Sequence, residues 1–174
     1  MNRIEIGRRD FLTAVGVAVG SVVLPRLSRA EDEPLPAAAR AALSKSPLVY
    51  VSPLKKDGTE SRCHGEVWYF TDGGDVVIAT GKDAWKKRAL DGGLDRARIW
   101  VGDYGPVKKA GDAFRKAPSF LAQASFDTDP AAFERLMTAY AERYSDGWQK
   151  WEPRFRKGYA DGSRVVIRYA PVAS

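Results

Sequence analysis

Residues 67–80 read Val67-Trp68-Tyr69-Phe70-Thr71-Asp72-Gly73-Gly74-Asp75-Val76-Val77-Ile78-Ala79-Thr80. An aromatic run, two consecutive glycines and a β-branched return run make a hairpin. Aromatic and β-branched side chains fit a pleated, half-buried surface, and Asp72-Gly73-Gly74 supplies the positive-φ residues of a tight turn. Upstream, Leu48-Val49-Tyr50-Val51 reads as a buried strand and Lys56-Asp57-Gly58 as a turn, and Thr59 to Phe70 forms a second extended run. With Val76 to Thr80 as the return strand, these segments predict a three-stranded antiparallel meander.

Working outward, Pro36 to Lys45 suits a short entry helix and Ala84 to Leu90 one or two helical turns. Strands are predicted over Arg96–Val101, Ser119–Phe126 and Arg164–Tyr169, the last entered through the Asp161-Gly162 turn. Asp129 caps a helix with Pro130 in its first turn, and Phe133, Leu136, Met137, Tyr140, Ala141 and Tyr144 recur at helical spacing, a stripe that packs on a core. A tryptophan pair, Trp148 and Trp151, follows. Six strands neighbouring in sequence and three helices predict a mainly β fold, a six-stranded antiparallel barrel with peripheral helices rather than a parallel doubly wound sheet.

The N-terminal residues read differently. Arg8-Arg9-Asp10-Phe11-Leu12 precedes an apolar run from Ala14 to Leu24, and Ser28-Arg29-Ala30 is a small-x-small cleavage site. This is a twin-arginine (Tat) export signal over residues 1–30 with cleavage after Ala30, leaving residues 31–174 as the folded domain in the periplasm and the Tat translocase as a transient partner. The run is shorter than the about 20 apolar residues of a spanning helix, so no stable membrane anchor is expected.

Without that signal, residues 31–174 carry 23 basic and 20 acidic side chains, a balance of +3. Nucleic-acid binding, which asks for a concentrated basic stripe, is not indicated. The single cysteine, Cys63, makes no internal disulfide, and the single histidine, His64, rules out two-histidine metal motifs. Dinucleotide, P-loop and nucleophile-elbow signatures are absent, and no metal site is predicted.

Two segments carry potential chemistry. In an extended run Cys63 and His64 point to opposite faces and do not form a thiolate–base pair; the plain reading is a packed cysteine beside a partly exposed histidine. His64 shares its face with Arg62, Glu66, Trp68 and Phe70, a polar and aromatic surface on a central strand suited to a planar ligand. The second segment is Thr80-Gly81-Lys82-Asp83-Ala84-Trp85-Lys86-Lys87-Arg88, a strand end with a hydroxyl and a glycine leading into a cationic helix start. Such a place cradles phosphate, while its plain reading is a solvated basic face.

From about Leu43 to Pro171 this succession resembles the FMN-binding split barrels related to pyridoxamine 5′-phosphate oxidase. The resemblance rests on Val67-Trp68-Tyr69-Phe70 with its turn, on Thr80 closing the third strand, and on the helix opening after it. It implies a homodimer with FMN at the subunit interface and a redox reaction on a small organic substrate. Thr80 and Lys86 match the phosphate-binding hydroxyl and lysine, His64 falls at a phosphate-binding arginine, and Lys82 is a further anchor. Gly65, Glu66, Val67 and Trp68 would border the ring, flanked by Ala79 and Trp85. Ala84 and Trp85 stand where the family has serine and arginine. The closing segment, from Gly147 to Arg168, is also similar to the deazaflavin-using branch. Haem bound through His64 and a cofactor-free binding module stay open beside these, and no catalytic side chain stands out.

Overall fold

A computed structural model describes residues 34–173. The predicted export signal lies outside the described residues. Seven strands, not six, form one antiparallel sheet: β1 (Val49–Pro53), β2 (Gly65–Val67), β3 (Phe70–Asp72), β4 (Asp75–Gly81), β5 (Arg96–Val101), β6 (Ser119–Asp127) and β7 (Arg164–Val172), in the order β2-β1-β5-β6-β7-β4-β3.

The predicted hairpin is present. Asp72 pairs with Asp75 across Gly73 and Gly74, whose φ values of 63° and 97° suit the right-handed twist of the flanking strands. The single extended run over Thr59–Phe70 is corrected. Only Glu60 bridges back to Leu54 early in it, residues 61–64 are irregular, and the rest splits into β2, paired with β1, and β3, paired with β4. The three-stranded meander is thereby corrected as well, because β2 and β3 lie at opposite edges of the sheet and neither is central.

Those two edges are joined by Trp68 and Tyr69 alone. Three residue steps span at most about 11 Å, so the sheet must curl until its first and last strands nearly meet, which makes it a barrel with a seam. The backbone at the seam is served by hydroxyls from a helix: Tyr140 donates to the Trp68 carbonyl at 2.6 Å, and the Tyr69 N–H donates to the Tyr144 hydroxyl at 3.0 Å.

Alternation along the strands gives two buried layers. Val49, Val51, Tyr69, Val76, Ile78, Ile99, Phe120, Ala122 and Ile167 fill the barrel, joined by Ala39 and Leu43 of α1 (Ala37–Leu43). On the outer face of β4 and β7, Val77, Ala79 and Val166 meet Phe70 and the helices α4 (Pro130–Arg143) and α5 (Trp148–Ala160). The Asp129 carboxylate caps α4 by accepting from the Ala131 N–H at 2.9 Å, and its stripe Phe133, Leu136, Met137 and Tyr140 is buried as predicted. Each such side chain contributes roughly 1.5–3 kcal/mol by leaving water.

Three helices are too few. Besides α1, α4 and α2 (Trp85–Asp91), the described residues form α3 (Val107–Ala110), a 3₁₀ turn over Ala113–Lys116, and α5. The helix α5 contains Pro153 and Gly158, both helix-disfavouring, and its formation is driven by packing of Trp148 and Phe155 on the second layer. Among the described residues no helix is long and apolar enough to cross a membrane.

Candidate functional site

The chain leaves β4 through Gly81 and re-enters helix at Trp85, which turns the first residues of α2 toward β2. Gly65 is buried there, and a Cβ on it would lie 3.6 Å from the Trp85 ring and 3.8 Å from Lys86 Nζ. The ammonium also sits 4.3 Å from the centre of the Trp85 ring. It makes no hydrogen bond or ion pair with any described residue. Burial pulls its pKa down to about 8, with Glu66 acting in the opposite sense. The Glu66 carboxylate is partly engaged, accepting from the Val107 N–H at 3.1 Å.

Of the residues singled out from the sequence, Gly65, Glu66, Trp85 and Lys86 are thus brought together. Val67, Trp68 and Ala79 instead line a cleft of about 220 Å³, completed by Trp151, Phe155 and Arg164. Trp68 stacks on Tyr144 at 4.4 Å and meets Trp151 edge-on at 6.3 Å. Thr80 is buried in the barrel wall opposite Val165, on the side of Val76 and Ile78 by alternation. Lys82 is exposed, its N–H donating to the Ser163 carbonyl at 2.8 Å.

His64 goes elsewhere. Its ring lies 5.3 Å from Phe114, and its Nδ1 is buried without a hydrogen-bond partner. Cys63 is exposed, correcting the packed cysteine expected beside it. The alternating face shared by Arg62, His64, Glu66, Trp68 and Phe70 is corrected too: residues 61–64 are not strand, while Trp68 and Phe70 do share the helix-covered layer. Among the described residues no group of three His, Cys, Asp or Glu side chains could hold a metal ion.

Arg164, Phe155 and Trp151 are residues whose place in a site the sequence pattern does not announce. Trp151 belongs to the tryptophan pair, whereas Phe155 is hidden by the helix-breaking residues around it.

No family profile and no curated protein matches this sequence. Among solved structures, a conserved hypothetical protein of Mycobacterium tuberculosis superposes with a TM-score of 0.52 and 20% identity, covering 76% of this chain and 79% of its own. HutZ, the heme storage protein from Vibrio cholerae, gives 0.52 at 12% identity over 79% and 89% of the two chains. A pyridoxamine 5′-phosphate oxidase-like protein from Listeria innocua gives 0.49 at 17% identity over 76% and 89%. The fold is a pyridoxamine 5′-phosphate oxidase-like split barrel. In this split barrel Lys86 and Gly65 meet where α2 packs on β2, and the cleft lies where the seam meets α5. The extra strand in the count comes from the seam itself, which divides one predicted extended run between two edges.

Proposed function

We propose that this chain is an exported, homodimeric flavoprotein that binds FMN and acts as an oxidoreductase on a small organic substrate. The observation that carries the reading is Lys86, a partly buried ammonium that lies over the Trp85 ring without a hydrogen bond or ion pair, packed against the bare backbone of Gly65. A buried charge without a counter-ion is costly, and a phosphate oxygen is a suitable complement. The residues present fit one phosphate: Lys86 supplies the charge, and Glu66, the carboxylate in this corner, is drawn toward Val107. Trp85 offers an indole where the family resemblance implies a guanidinium, so anchoring falls mainly on Lys86.

When bound, the isoalloxazine would supply the hydride and electron chemistry. The chain's own part is to hold the phosphate at Lys86, to present the backbone of residues 65–67 along the ring edge, and to exclude water with Trp85 and Trp68.

The test is the visible spectrum of the purified protein, the mass of what denaturation releases, and FMN titration of wild type and Lys86→Gln. A yellow protein that releases FMN, with affinity falling roughly 10- to 100-fold in the variant, is expected for the loss of one charge-assisted contact. A colourless protein that takes up no flavin, or one showing only a Soret band, overturns the reading.

A further inference from the structure

Arg164 opens β7, yet its guanidinium makes no hydrogen bond or ion pair with a described residue. It lies instead over the Phe155 ring, 4.2 Å from its centre. The side chain reaches that position across Gly158: a Cβ there would come 2.7 Å from Arg164 Cγ and 2.9 Å from Cδ, distances that real atoms do not sustain. A glycine inside a helix costs about 1 kcal/mol relative to alanine, and here its absent side chain is the channel through which Arg164 passes.

The cleft that receives the guanidinium is otherwise uncharged. Val67, Trp68, Ala79, Trp151 and Phe155 form the rest of its wall, and no carboxylate lines it. The Trp68 and Phe155 rings are nearly parallel, 7° apart in orientation, and Trp151 stands across Trp68 at 77°. On the other side of Arg164 a hollow of about 360 Å³ is lined by Arg154 and Lys157 as well as Asp161, and Arg154 caps the Trp151 ring at 5.0 Å. The local field therefore favours an anion. Flat aromatic walls favour a flat ligand, a fork of N–H donors favours a carboxylate, and the volume, below the roughly 300–1,000 Å³ of drug-sized pockets, admits one or two rings.

We propose that this cleft binds a planar aromatic carboxylate, its ring held among Trp68, Trp151 and Phe155 and its carboxylate on the unpaired fork of Arg164. The inference goes beyond FMN binding and does not rest on it, because none of its charged contacts involves Lys86. The cleft nevertheless adjoins the Lys86 corner along one backbone, Gly65 touching that corner and Val67 the cleft. An aromatic acid bound here would be a neighbour of any group at Lys86, the position of a substrate.

The test is calorimetric titration of naphthoate into the purified full chain without flavin, with naphthamide as the uncharged isostere. Saturable one-to-one binding of naphthoate is expected, with naphthamide at least about tenfold weaker, the lower end of a charge-assisted contact. Arg164→Gln should bring naphthoate down to the naphthamide level and leave naphthamide unchanged. Gly158→Ala should do the same by displacing Arg164 while keeping its charge, a result that simple loss of a cation would not give. Equal affinity for the two probes in the wild type, no binding of naphthoate, or full affinity in a folded Arg164→Gln would each overturn the proposal. The wild-type comparison decides even if a variant does not fold. Repeating the titration with FMN present separates the outcomes: a chain that binds naphthoate but no FMN retains this site and loses only the flavin reading.

Discussion

Replacing Tyr144 by phenylalanine tests how the barrel's seam is held. The substitution keeps the ring that stacks on Trp68 at 4.4 Å, so packing is conserved and one hydroxyl is removed. That oxygen accepts from the Tyr69 N–H at 3.0 Å and lies 2.8 Å from the Pro47 carbonyl and 3.1 Å from the Tyr69 carbonyl, one of which receives its proton. Tyr69 is fully buried, so its N–H would have neither sheet partner nor water. Leaving a buried donor unsatisfied costs about 1–3 kcal/mol, which for a domain of this size lowers Tm by roughly 3–10 °C. Calorimetry measures the shift, and amide exchange at Tyr69 should accelerate with it. A pH series adds a signature. Burial raises the Tyr144 pKa to about 12. A raised folded pKa means its contribution is complete below the unfolded value near 10 and is lost as pH climbs through about 12, so the alkaline loss of stability should be shallower in the variant. A Tm unchanged within about 1 °C, with Tyr69 exchange unaltered, would refute the view that helix hydroxyls satisfy the seam.

Three further outcomes follow from charges described by the structure. Arg168 donates to Asp72, Asp75 and Asp127 at 2.6–3.0 Å; burial alone would lower its pKa, and the three carboxylates outweigh it and raise it. Arg168→Leu should cost roughly 2–4 kcal/mol in urea unfolding, because three partly buried carboxylates lose their shared cation, and part of the difference should vanish at low pH as Asp72, whose pKa Arg135 and Arg168 hold down, protonates. Lys86, whose folded pKa is lowered to about 8, is charged and penalised below that value and relieved as pH rises toward 10.5, so it adds stability on the alkaline side. Its hold on an anion runs the other way: FMN affinity should be full near pH 6 and decline through about pH 8, and Lys86→Arg should flatten that profile.

The parts of the fold legible in the sequence are those set locally. Gly73 and Gly74 specify their turn by backbone conformation, and α4 announces itself through Asp129, Pro130 and a regular apolar stripe. The split of residues 59–70 between two sheet edges was illegible, since extended residues look alike whichever strand they pair with. The helix α5 was illegible for a different reason: Pro153 and Gly158 lower its intrinsic propensity, and contacts with residues such as Tyr140 override that. At the candidate sites, Lys86 and Gly65 could be singled out from the cation after β4 and the glycine in the aromatic run. Arg164 could not, because its isolation depends on a glycine six residues earlier in the chain and on Phe155 beneath it, a coincidence of helix and strand that only packing reveals. Thr80, Lys82 and His64 followed a strand-and-helix pattern, and the folded chain distributes them among the barrel wall, an exposed turn and the Phe114 neighbourhood.

The strand β7 pairs with β6 on one side and β4 on the other, although it follows both in chain order. Until it is laid down, β2-β1-β5-β6 and β4-β3 are two separate ribbons, each with an open edge able to capture another chain. The architecture thus has a keystone that is inserted last, and synthesis must run through residue 172 before either ribbon gains its neighbour. Shortening β7 should therefore yield aggregation rather than a looser version of the same barrel.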